Sequence, residues 1–135
     1  MKFIFPQFIL LLFYQFGFGQ QNVFPYKFHD KYGIVDEEHN KITEPIFDYI
    51  QLFCNQKYNH YTQFSQNDAN GKPLFGIIDQ KGKIIVPASY TDLTYDGNGL
   101  YYFVRDADTI QIKQVSNNKI IAKAQPWTIQ SYNSL

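Results

Sequence analysis

The chain has one cysteine, one tryptophan and one methionine in 135 residues, and no excess of either charge. A single cysteine, Cys54, excludes an internal disulfide, so the fold must be held by its core. Twelve basic residues against twelve acidic ones leave no electrostatic footprint for nucleic acid or an anionic membrane. After Gln20 no stretch shows a 3.6-residue apolar period, which excludes amphipathic helices and leaves a nearly all-β reading. No zinc, nucleophile or phosphate-binding motif surrounds His29, His39 or His60.

One long apolar run is present, at the start. Met1-Lys2 leads into Phe8 to Phe16 and then Gly17-Phe18-Gly19, a positive start, an apolar core and small residues where a signal peptidase reads. Phe3 to Phe18 is shorter than the roughly 20 residues of a spanning helix and carries Pro6, Gln7 and Gln15. The expectation is a signal peptide over 1–19, cleaved after Gly19, with the mature chain secreted or periplasmic and holding no stable membrane span. No cysteine follows the apolar core to take a lipid. Cys54 ends an apolar pattern running from Phe47 to Phe53 and is expected to be a small buried hydrophobe.

The chain is richest in aromatic residues, with 13 Phe and 11 Tyr, and in a phrase written twice. Tyr32-Gly33-Ile34-Val35-Asp36 followed by Lys41-Ile42-Thr43-Glu44-Pro45 returns as Phe75-Gly76-Ile77-Ile78-Asp79 followed by Lys83-Ile84-Ile85-Val86-Pro87. Gly33 to Gly76 and Phe47 to Tyr90 are 43 residues apart, Lys41 to Lys83 and Pro45 to Pro87 are 42. That pattern reads as one residue lost in the first turn and regained after the proline. Asn40 then stands in the place of Gly82, where a positive φ closes the hairpin, and Asp36 and Asp79 accept hydrogen bonds from the turn backbone. Gly33 and Gly76 mark close packing. Pro45 and Pro87 are expected to stop a strand and turn the chain into Phe47 to Phe53 or Thr91 to Tyr95. Further strands are predicted at Tyr61 to Ser65 and Leu100 to Arg105, with Asp106-Ala107-Asp108 as a turn into Thr109 to Val115. Asn118-Lys119-Ile120 marks a third, worn copy, as terminal units of repeat arrays often are.

These residues resemble the WG repeat, whose unit reads aromatic-Gly-Ile/Leu-Ile-Asp, a short Lys/Gly turn, Ile-Ile-Pro, then an aromatic. Tyr32 and Phe75 replace its tryptophan. The resemblance implies a repeat scaffold common in bacterial, often exported, proteins, and it carries no catalytic residue. The expected architecture is all-β, with about three tandem hairpin or meander units over 20–124 and a tail over 125–135 that either caps the last hairpin or is disordered.

Function is then sought where the copies differ. Asp36-Glu37-Glu38-His39 is dense in metal-type ligands, but it falls in one hairpin loop and ligands converge from several segments. Asp92 to Gly97 faintly resembles a calcium loop, yet Phe103 stands where that loop needs a glutamate. Neither supports a metal, and no cofactor is expected. Tyrosines can present rigid contact area to a sugar or peptide, and Tyr61, Tyr95, Tyr101 and Tyr102 are the candidate binding surface; tyrosine also simply suits a half-buried strand. The expected function is non-enzymatic: an exported module that binds a protein or an envelope glycan, or serves as scaffold, with self-association through sheet edges open to it. The alternative is a small secreted hydrolase using His39 or His60 as base.

Overall fold

A computed structural model describes residues 22–125. The predicted signal peptide and all but the first residue of the predicted tail lie outside the described residues. The described chain is all-β, with ten strands in three antiparallel sheets. The first sheet pairs β1 (Val23–Phe28) with β2 (Lys31–Asp36) and gains isolated bridges from Lys41 and Phe47. The second is a meander of β3 (Tyr49–Ile50), β4 (Tyr61–Asn67), β5 (Pro73–Asp79) and β6 (Ile84–Tyr90). The third repeats that order with β7 (Leu93–Tyr95), β8 (Tyr101–Asp106), β9 (Thr109–Gln114) and β10 (Ile120–Ala124).

The sheets pack face on face, and the alternation of side chains along a strand decides which core each residue enters. In β5 the neighbours Ile77 and Ile78 are both fully buried yet point to opposite cores. Ile78 joins Phe64, Ile50 and Phe53 against Val23, Ile34 and Phe47 of the first sheet and its extension. Ile77 joins Val86 against Leu93, Tyr102, Val104 and Val115 of the third unit. The middle sheet is therefore covered on both sides, which explains a run of apolar residues in β5 rather than an alternation. Aromatic rings cross both interfaces edge to face: Phe47 with Phe64 at 5.1 Å and Tyr90 with Tyr102 at 6.4 Å between centroids.

The two glycines of the repeated phrase sit where strands come closest. A Cβ on Gly33 would lie 2.6 Å from the Tyr26 ring and 2.8 Å from the Thr43 carbonyl oxygen. On Gly76 it would meet the carbonyl oxygen of Val86, the Phe64 ring at 2.7 Å and the Ala88 nitrogen at 2.9 Å. The same backbone approach recurs in both copies, so Gly is required by packing rather than by φ.

The turn aspartates act as expected. Asp36 Oδ1 accepts from the N–H groups of Glu38 and Asn40 at 2.9 and 2.8 Å, and Asp79 Oδ1 from Lys81 and Lys83 at 2.9 and 2.8 Å. Asp68 repeats the arrangement with Asn70 and Lys72, both at 2.9 Å. The hydrogen-bond register corrects the reading of the first turn. Asp36 N–H donates to Asn40 as Asp79 N–H donates to Lys83, and the positive φ falls on His39 (66°), not Asn40. His39 is the counterpart of Gly82 (81°), and the spacing stays at 43 through the hairpin, with Val35 facing Lys41 as Ile78 faces Ile84. No residue is lost; the lysine and proline of the phrase have shifted by one position on an unchanged backbone. In the third copy Asn118 does take the left-handed conformation, at 58°.

Three other expectations are revised, and one strand was missed. Phe47 to Phe53 is not one strand, because Phe47 bridges Tyr32 in the first sheet while Tyr49–Ile50 pairs with Ser65 and Phe64 in the second. The chain crosses between sheets at Asp48, whose carboxylate takes the Lys31 ammonium at 2.5 Å and the Asn67 N–H at 2.7 Å. Cys54 is exposed, since Phe53 takes the core position and leaves its neighbour outside. Pro87 lies inside β6 rather than ending it; β6 is a sheet edge and its pairing shifts register there, so a missing N–H is tolerated. The strand β1 was not legible, because Pro25 interrupts its pattern and its tight turn uses His29 and Asp30, both at positive φ, without glycine.

Gly76→Ala should destabilise the protein by about 3 kcal/mol or more, because two of the three nearest obstacles are backbone atoms. Gly71→Ala, at a positive φ in open space, should cost only about 1 kcal/mol. Urea unfolding of the two variants checks the contrast. Acid provides a second check. The Lys31 ammonium, then the Asn67 N–H, hold Asp48 below the usual carboxylate value, and the Asn40 N–H leads in doing so for Asp36. Depressed values mean stabilisation that is complete above about pH 4 and lost as pH falls through the folded-state values. Asp48→Asn should flatten the acid limb of the stability profile.

Candidate binding cleft

The cleft begins with amide side chains that stand in for missing strand neighbours. Gln56 accepts from the Val23 N–H at 2.7 Å and donates to the Val23 carbonyl at 2.9 Å, so one side chain closes the start of β1 as a paired strand would. Gln63 does the same for β7, donating to the Leu93 carbonyl at 3.1 Å and accepting from the Tyr95 N–H at 3.4 Å. These glutamines join the middle sheet region to its two neighbours.

From Gln56 the polar chain runs outward. Gln80 donates to Gln56 Oε1 at 2.8 Å, and its own Oε1 lies 3.1 Å from His60 Nδ1. Behind it, the buried Asn59 donates to the Cys54 carbonyl at 3.4 Å and accepts from the Tyr61 N–H at 3.1 Å and from the Tyr95 hydroxyl. Tyr61 and Tyr95 meet edge to face at 6.5 Å. Burial pushes the Tyr95 phenol well above its ordinary value, so it remains a neutral hydrogen-bond donor. His60, Tyr61, Asp79, Gln80 and Lys81 line an open cleft of about 400 Å³ at this end of the middle sheet.

The four sequence-predicted tyrosines do not form one stripe. Tyr61 and Tyr95 are half-buried together beside the cleft. Tyr102 is 0% exposed, packed in the core between the second and third sheets, with its hydroxyl on Asn118 Oδ1 at 3.1 Å and the Lys113 ammonium 6.0 Å from its ring. Its burial and the neighbouring Tyr90 push its ionisation upward. Tyr101, the next residue and so on the opposite face, is 36% exposed on the outside of the third sheet.

Gln56, Asn59, Gln63 and Gln80 were missed by sequence reasoning. Isolated glutamines and asparagines carry no periodic signal, and only the repeat comparison, in which Glu37 stands in place of Gln80, singles any of them out. Of the two histidines considered as bases, His39 holds a turn position of the first hairpin and His60 the rim of the cleft. Among the described residues no three His, Cys, Asp or Glu side chains gather as a metal set, and no helix is long and apolar enough to cross a membrane.

Successive antiparallel meanders of one pattern, with glycines at the strand approaches and aspartates closing the hairpins, define a tandem β-repeat protein. The WG containing repeat matches residues 32–67 and 75–107, together about half of the chain, and the chain belongs to that family. Curated proteins give no match. Among solved structures, the crystal structure of a eukaryotic initiation factor aligns at a TM-score of 0.49 and 17% identity, over 77% of this chain and 29% of that one. The chain thus spans less than a third of the length of that protein.

Proposed function

We propose that this chain is an exported, non-catalytic binding module whose cleft at His60, Tyr61 and Gln80 takes a hydrated polymer of the cell envelope. The N-terminal run with its small residues at 17 and 19 supports export. The observation that carries the binding assignment is how the repeat residues are used. Gly33 and Gly76 are spent on close strand approach and Asp36 and Asp79 on turns, whereas the cleft is lined chiefly by positions that differ between copies. Those positions supply an amide, an imidazole, an ammonium and an aromatic ring, which suits sugar recognition: hydrogen bonds that replace water, beside an apolar surface. His60 Nδ1 lies 3.1 Å from the Gln80 amide oxygen, so the imidazole and the amide stand together at the rim as a pair of polar groups for a hydroxyl-rich ligand.

Sedimentation with purified peptidoglycan, alongside capture from envelope protein extracts, tests this. Wild type should be retained on the glycan, and Tyr61→Ala and Gln80→Ala should each weaken retention about tenfold, worth about 1.4 kcal/mol. Tyr101→Ala, on another face, should bind as wild type. Failure of the glycan to retain wild type, or equal retention of the cleft variants, contradicts the assignment; capture of an envelope protein alone would replace the glycan with a protein partner.

A further inference from the structure

The three sheets use one interface twice, and both ends of the stack carry the residues for a third use. Register makes the comparison direct. The pair Tyr101–Gln114 in the third sheet corresponds to Tyr61–Asp79 in the second, because Gln114 N–H closes its hairpin on Lys119 as Asp79 N–H closes on Lys83. Phe103, Ile110 and Ile112 then occupy the positions of Gln63, Phe75 and Ile77. In the second sheet that face is the one covered by the third unit, with Ile77 fully buried. In the third sheet the same face has no sheet upon it among the described residues, and Phe103, Ile110 and Ile112 are only half-buried.

The opposite end shows the complementary face. Tyr26 pairs with Gly33 as Phe64 pairs with Gly76, and Phe24 pairs with Val35 as Thr62 pairs with Ile78. Phe64, Thr62 and Ile78 are buried beneath the first sheet. Their counterparts on the first sheet face outward: Phe24, in the place of Thr62, is 44% exposed and Tyr26 and Val35 are half-buried, with Phe28 beside them on the same face 58% exposed. Phe24 thus stands in the open at a position whose equivalent is interior, with Phe28 extending the apolar face. The other end is correspondingly less bulky: Ala122 and Ala124 of β10, partners of Ile112 and Ile110, stand where β6 has the larger Val86 and Tyr90.

We infer that this protein associates with itself head to tail, the outer face of the third sheet of one copy stacking on the outer face of the first sheet of the next, in continuation of the two sheet interfaces inside the chain. The occupant is a second copy because the internal interfaces are the template, and near-neutral charge offers little long-range repulsion to oppose it. The contact is heterologous, so assemblies grow by addition at either end.

Sedimentation velocity of the full chain, as processed by the cell, across a concentration series tests this. Wild type should pass from monomer to dimer and larger species. Phe24→Lys, with Phe28→Lys as a second variant of the same face, and Ile112→Lys on the other face, should each be monomeric with a wild-type circular dichroism spectrum. Mixing a first-face variant with Ile112→Lys should restore a 1:1 dimer that grows no further, since each retains one intact face. A wild type that stays monomeric overturns the inference. So do single-face variants that associate like wild type, or mixed variants that do not pair, the latter two pointing to a symmetric contact or another surface.

Discussion

Everything in this molecule depends on the middle sheet being buried on both faces. Ile77 and Ile78, adjacent in sequence and both fully buried, belong to different cores, so a single strand, β5, holds the first and third sheets to the same scaffold. A sheet covered on two sides cannot use an alternating pattern, and its backbone must lie close enough to both neighbours for rings to cross the gaps. Gly76 marks a second close approach, within the sheet itself, with backbone atoms of β6 where a side chain would be.

The connections between sheets follow from the same constraint. Where the chain passes from the first sheet to the second, Asp48 ties a lysine of one to a backbone N–H of the other. Where backbone pairing would end, Gln56 and Gln63 present their amides to Val23 and to Leu93 and Tyr95. Leaving those backbone groups unpaired would cost about 1–3 kcal/mol each, so the polar residues between sheets serve satisfaction of the backbone before any ligand. The cleft lies at the outer end of this polar network, where Gln80 bonds Gln56 and meets His60.

Much of the scaffold was legible in the sequence for physical reasons. A glycine after an aromatic and an aspartate two residues past the strand centre mark a close approach and a turn, and both did so in each copy. Misreadings arose where a conformation was inferred from residue preference. Asparagine was favoured for the positive φ of the first turn, and the backbone placed His39 there, since hydrogen-bond register outranks side-chain preference. Phe47 to Phe53 looked continuous because apolarity does not reveal that a chain is changing sheets. The cleft was half legible: Tyr61 and Tyr95 were named, but Asn59, the amide that bonds both, and Gln80 at the rim carry no signal without the fold. Tyr102 was indistinguishable from Tyr101 in sequence, and alternation alone sends one into the core.

The central claim is that stability radiates from the doubly covered sheet. Native-state hydrogen exchange resolved by residue measures this directly. The amides of Phe64, Ile77 and Ile78 should exchange only through global unfolding and be the slowest in the protein, with those of β1 and β10 faster by an order of magnitude or more. Amides of β1 or β10 protected as strongly as those of β5 would contradict the account.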